Sequence, residues 1–221
     1  EGQAAGAQIA FDRALTDRRP DDLACEVCAR YELGKVLVMQ GKHVEAAHHF
    51  EAAISRDGQH SAGGEQQLKL QLAWCLGFTP EHIERAHKLY ASVLDDDPFC
   101  AAAFLDRGKL FIRAHDWERA LGDFSHASAM GKADANVCND IGVCHFELGQ
   151  AEQALAKFSQ ALTKNDKHAP SYSNRANCYK GLRKYTEAES DYTKAIEIDN
   201  RNPKAFLSRA QLYELMGQPE T

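Results

Sequence analysis

The sequence predicts an all-α fold: a stack of 34-residue helical hairpins, five complete, with a partial repeat at each end. Three columns carry that prediction. Laid against itself at a shift of 34, the chain holds one register from residue 101 onward without a gap, with units beginning at Ala101, Ala135, Ala169 and Pro203. Two earlier units fit when begun at Val27 and Gln67. The twentieth position is then Ala46, Ala86, Ala120, Ala154 and Ala188, and the twenty-fourth is Phe50, Tyr90, Phe124, Phe158 and Tyr192. The eighth is small at Gly34, Gly108, Gly142, Ala176 and Ala210. With aromatics at 9% of the chain, five in one column would arise by chance on the order of once in 10^5 placements or fewer. A small residue lets two helices of a hairpin approach, and an aromatic one turn further on fills the space between units.

The elements follow in order. In residues 1–19, Gln8 to Leu15 reads as the second helix of a partial repeat. Full hairpins are expected over 27–60, 67–100, 101–134, 135–168 and 169–202. Residues 61–66 read as a loop insertion, because Gly63-Gly64 favours irregular backbone. The hairpin at 67 departs from the pattern: Trp74 stands where a small residue is expected and Gly77 where an aromatic is. Thr79 then reads as an N-cap with Pro80 as the first helical residue, after a distorted or shortened first helix. Asp95-Asp96-Asp97 before Pro98 lacks the spacing and glycine of a calcium loop, and reads as a helix end and turn. The alanine-rich twenty-seventh column is Ala53, Val93, Ala127, Ala161 and Ala195. Residues 203–217 form a first helix alone. With no methionine at position 1 and an incomplete repeat at the end, a piece of a longer chain is expected.

Composition narrows the function. A formal charge of -6 and a pI near 5.9 argue against nucleic acid, which calls for a basic stripe; Arg18-Arg19 reads as solvated surface. Apolar runs such as Val36 to Met39 fall far short of the roughly 20 residues that span a bilayer, and Glu1-Gly2-Gln3 does not read as the basic start of a signal peptide. Seven scattered cysteines suit a reducing, cytoplasmic compartment better than a disulfide framework. No phosphate loop, nucleophile elbow or His-Glu-x-x-His pair appears, so no enzyme, cofactor or metal is expected. Cys25-x-x-Cys28, with His43, His48 and His49 downstream, is at most half a zinc site and reads as two residues packing inward. His82 and His87 read as surface residues, and Cys144 and Cys178, which share the tenth position, as core fillers.

These columns, with Tyr179 and Tyr213 at the eleventh position, resemble the tetratricopeptide (TPR) repeat, and Tyr172 to Asp199 is the best single match. The resemblance implies a right-handed α-α superhelix whose concave face is lined by first helices and grips a protein partner, as a peptide segment or a helix. Positions two, five, six, nine and twelve or thirteen would face that groove. The sixth position gives Asp106, Asp140, Asn174 and Ser208, a ladder of short polar side chains able to hydrogen-bond an extended backbone. Lys109, Asn136, Asn139, Ser173, Asn177 and Lys204 stand beside it. The plainer reading is that a concave surface is polar because it is wet. The function expected is a protein-protein interaction scaffold or adaptor. One alternative is a recruiting array of a larger TPR-containing enzyme. Another is a co-chaperone binding chaperone C-terminal tails; of that clamp's positions, which fall on Asn139, Val143, Asn174, Lys204 and Ser208, only Asn174 and Lys204 match.

Overall fold

The computed structural model describes residues 23–57 and 62–217, with Gly6, residues 8–11, Arg13 and Leu15 ahead of them. Among the described residues there is no strand. The chain forms two compact units, Glu1–Leu110 and Phe111–Thr221.

The first unit holds α1 (Leu23–Met39), α2 (His43–Asp57), α3 (Ala62–Leu76), a 3-10 turn Pro80–His82, α4 (Ile83–Asp96) and most of α5 (Ala101–Arg113). In order, α1 packs on α2, α2 on α3 and α3 on α4. Gly6, residues 8–11, Arg13 and Leu15 are helical, and Phe11 and Leu15 rest against the core of this unit. The second unit holds α6 (Trp117–Ala129), α7 (Ala135–Glu147), α8 (Ala151–Lys164), α9 (Ala169–Gly181), α10 (Tyr185–Ile198) and α11 (Pro203–Leu215). Here too successive helices pack, and the first helices also touch in turn, α7 on α9 and α9 on α11.

The repeat columns are the core. All fifteen residues of the twentieth, twenty-fourth and twenty-seventh columns are 1% exposed or less. Removing each ring from water contributes about 1.5–3 kcal/mol. Glycine at the eighth position is a requirement of close approach in two hairpins: a Cβ on Gly34 or Gly142 would lie 2.6 Å from the ring of Phe50 or Phe158.

A fifteenth column, which the sequence reading passed over, closes the first helices. Gly41, His115, Gly149, Arg183 and Gly217 all adopt positive φ, from 57 to 76 degrees. The following amide then reaches back to the helix, as in Lys42 N to Leu37 O at 2.9 Å and Gln150 N to His145 O at 2.8 Å. Between repeats, Asp97, Asn165 and Asp199 accept from the backbone two residues on, at 3.0 to 3.2 Å.

The hairpin beginning at Gln67 differs from its expected form in three ways. Ala62 to Gln66 are helical rather than a loop insertion. Glu65 pairs with Lys69 one turn on at 3.0 Å, and Gln66 donates to Asp97 at 3.3 Å. These contacts oppose the cost of about 1 kcal/mol per helical glycine. The first helix is therefore longer, 15 residues against 13 in α5, α7 and α9. Finally, Thr79 makes no side-chain cap bond, and Pro80 opens a 3-10 turn from which the α-helix starts at Ile83. Proline drives the residue before it into extended backbone, here φ -114 and ψ 115 at Thr79, which forbids the left-handed closure used elsewhere.

Candidate functional site

Asp106 and Lys109 belong to the first unit. On α5, Lys109 Nζ lies 3.5 Å from Asp106 Oδ1 and 5.5 Å from the centre of the Trp74 ring. The indole meets Phe78 edge-on at 5.4 Å, and Phe78 stacks on His43 at 3.7 Å with the rings 3 degrees from parallel. The bulk of Trp74 is matched by Gly77, where a Cβ would stand 3.0 Å from Leu110. The large and small sites of the repeat have exchanged places.

The other eight candidates lie in the second unit, so the four-rung ladder is divided and Asp140, Asn174 and Ser208 form its second part. Asn136, Asn139 and Asp140 stand on α7, Ser173, Asn174 and Asn177 on α9, and Lys204 and Ser208 on α11. Asn136 and Lys204 are exposed; Asp140, Ser173, Asn174, Asn177 and Ser208 are half-buried. Asn139 is only 8% exposed and bonds to its neighbours rather than outward. Its Oδ1 accepts from Ser171 Oγ at 3.1 Å and from Asn174 Nδ2 at 3.0 Å, while its Nδ2 lies 3.4 Å from Asp140 Oδ1. Ser171, fully buried, meets His168 Nδ1 at 2.7 Å, and His168 Nε2 meets the Asn136 amide at 3.1 Å. One polar network thus joins α7 to α9 behind the half-exposed ladder. Burial holds His168 below its usual pKa, with the Asp134 carboxylate pulling the other way.

A second meeting point forms around Tyr192. Its hydroxyl donates to Asn177 Oδ1 at 2.6 Å. Burial pushes the phenol up to about 12, so it remains a donor at neutral pH. Behind it, Arg175 binds Asp191 with two nitrogens at 2.7 and 2.8 Å and donates to Ser159 at 3.1 Å, tying α9 to α10 and α8. The bond to Asp191 raises the Arg175 pKa further.

His168, Ser171, Arg175, Asp191 and the hydroxyl of Tyr192 were outside the candidate set. Two signals pointed to them. A tyrosine in a column where phenylalanine also serves needs a polar partner for its hydroxyl. Arginine at the seventh position with aspartate at the twenty-third also recurs, as Arg107 with Asp123 and Arg175 with Asp191. Cys144 and Cys178 are core residues, their thiols pushed up to about 12 by burial. Cys28 is exposed rather than packed inward, and the side chain of Cys25, like Arg18-Arg19, lies outside the described residues. Among the described residues, no three of His, Cys, Asp and Glu stand together as metal ligands, and no helix is long and apolar enough to cross a membrane.

Comparison with known proteins follows the same lines. Residues 81–135 and 105–171 match one family model described as tetratricopeptide repeat, and residues 169–202 match another of the same description. Together they run over 81–202, more than half of the chain. No curated protein matches in sequence at a significant level. Among solved structures, the crystal structure of the APC/C hetero-tetramer Cut9-Hcn1 aligns over 96% of this chain, with a TM-score of 0.76 and 15% identity. This chain spans 40% of the length of that one. Pseudomonas aeruginosa PilF aligns over 89% of this chain and 87% of its own, with a TM-score of 0.72 and 17% identity. YrrB, described as a TPR protein with an unusual peptide-binding site, aligns over 77% of this chain and 85% of its own, with a TM-score of 0.60 and 21% identity. At these identities the likeness is one of fold. Matched by family models across its repeats and built from buried small and aromatic columns at the same spacing, the chain belongs to the tetratricopeptide repeat family, whose fold serves in general as a protein-interaction scaffold.

Proposed function

We propose that this scaffold holds an extended peptide segment of a partner protein, and that the polar face of the first helices in the unit Phe111–Thr221 makes the contact. The observation that carries the reading is the half-buried column Asp140, Asn174 and Ser208, one residue on each of three first helices that touch in succession. Side chains that are short, polar and partly open can exchange water for a peptide backbone at little entropic cost. Ser173, Asn136 and Lys204 flank the column; Asn139, being buried, supports it from behind. The YrrB likeness is in keeping with peptide capture, and the Cut9-Hcn1 likeness with a place in a larger assembly. A chaperone-tail clamp is a poorer fit, because Asn174, one of its two matching residues, already gives its N–H₂ to Asn139. No observation favours the recruiting array of an enzyme over a free-standing scaffold.

The test is co-purification of partners with wild-type chain against Asn174→Ala and Asp140→Ala, with helicity followed by far-UV circular dichroism. Loss of a partner at unchanged helicity is the expected result. Equal recovery by all three proteins would move the contact to another surface.

A further inference from the structure

We infer that α9 displays an acceptor and a donor one turn apart, the carbonyl oxygen of Asn174 and the N–H₂ of Asn177, and that this pair selects an internal peptide group over a terminal carboxylate. The inference rests on the peptide-binding reading above and specifies what that surface takes.

An asparagine amide has two ends of nearly equal shape and opposite chemistry, so its direction is set by partners that can only give or only receive. Asp140 is such a partner. Its carboxylate lies 3.4 Å from Asn139 Nδ2, and the reverse orientation would press the Asn139 carbonyl against a negative charge. With the N–H₂ so placed, Asn139 Oδ1 points at Ser171 Oγ, 3.1 Å away, and at the Asn174 amide, 3.0 Å away. Ser171 gives its one proton there, and its oxygen also meets His168 Nδ1 at 2.7 Å. Asn174 must therefore turn its N–H₂ inward and its carbonyl outward. Asn139 and Ser171 are buried, where an amide turned the wrong way leaves groups without water to satisfy them.

Asn177 is set the opposite way. The Tyr192 hydroxyl gives its one proton to Asn177 Oδ1 at 2.6 Å. The carbonyl of Asn177 is thereby turned inward, and its N–H₂ is left to face out. A peptide group carries one N–H and one C=O and can answer both asparagines. A carboxylate has only acceptors, so it can answer Asn177 but meets Asn174 oxygen to oxygen. Asp140 and Asn139 are positioning residues in this arrangement, since they act through Asn174.

The two chemistries can be separated with small probes, read on the side-chain amide resonances of Asn174 and Asn177 in the whole chain. N-methylacetamide, which carries one peptide group, is expected to shift both. Acetate is expected to shift Asn177 and to act on Asn174 about tenfold more weakly. In Asp140→Asn the constraint on Asn139 is lifted, and acetate should gain Asn174. Asn139→Leu, which cuts the relay elsewhere, should give the same gain if Asp140→Asn fails to fold. Equal shifts of Asn174 by acetate and N-methylacetamide in the wild type would overturn the inference while leaving the peptide-binding surface standing. Acetate that gains nothing on Asn174 in either variant would overturn the positioning role of Asp140 and Asn139. No shift with either probe would overturn the surface reading and the inference with it.

Discussion

The hairpins that begin at Gln67 and Ala135 bury the same three columns, yet they solve the rest of the packing differently. In the second, Gly142 lets Phe158 press against the helix backbone, and Gly149 closes the first helix in left-handed backbone. In the first, Trp74 occupies the small site, Gly77 yields its place to Leu110, and Thr79-Pro80 replaces the left-handed closure with a 3-10 turn. Ala86, Tyr90 and Val93 remain as buried as Ala154, Phe158 and Ala161. The lesson is that the second-helix columns define the repeat. The first helix can exchange large for small provided that the total volume between hairpins is kept.

That contrast can be broken at several points. The largest effect should come from the shared column: Phe158→Ala and Tyr90→Ala should each cost about 3–5 kcal/mol in denaturant unfolding. A much smaller loss at Tyr90 would mean that the irregular hairpin carries its load elsewhere. Gly142→Ala comes next, at about 1–3 kcal/mol, because the Phe158 ring must move to admit the methyl group; Ala176 shows that a neighbouring repeat has settled around that group. Arg183→Gly should act in the opposite direction, stabilising by about 0.5–1 kcal/mol, since Arg183 holds a φ of 59 degrees that glycine adopts without Cβ strain.

The smallest effect is the pH response of the second unit. His168 has a pKa below its unfolded value, so the unfolded chain binds the proton more readily. Its contribution is present above the unfolded pKa of about 6.5 and is lost as pH falls through the folded value. Wild-type stability should therefore decline on acidification below that point, and His168→Gln should show a shallower decline in urea titrations across the same range. An identical slope would remove His168 from the network's titration.

Much of the fold could be read from the residues because helix packing at a fixed pitch writes itself as columns. Alanine at the twentieth position and an aromatic at the twenty-fourth are direct records of which side chains touch. The extra turn of α3 was hidden, since Gly63-Gly64 carries a loop preference that Glu65–Lys69 and Gln66–Asp97 contacts override. The fifteenth column was visible only in part: of its five members with positive φ three are glycine, and His115 and Arg183 disguise the other two. For the candidate site, spacing identified which residues lie on the first helices but not their orientation. Whether Asn139 faces solvent or Ser171 depends on a neighbouring helix 32 residues away, and no local pattern reports that.

The central claim is that the small eighth position and the aromatic twenty-fourth are one packed unit within each hairpin. A double-mutant cycle of Gly142→Ala with Phe158→Leu tests it most directly by equilibrium unfolding. Because the shorter leucine vacates the space the new methyl group needs, the two changes should be coupled by at least about 1 kcal/mol, with Gly142→Ala nearly harmless in the leucine background. Costs that add within about 0.5 kcal/mol would contradict the claim.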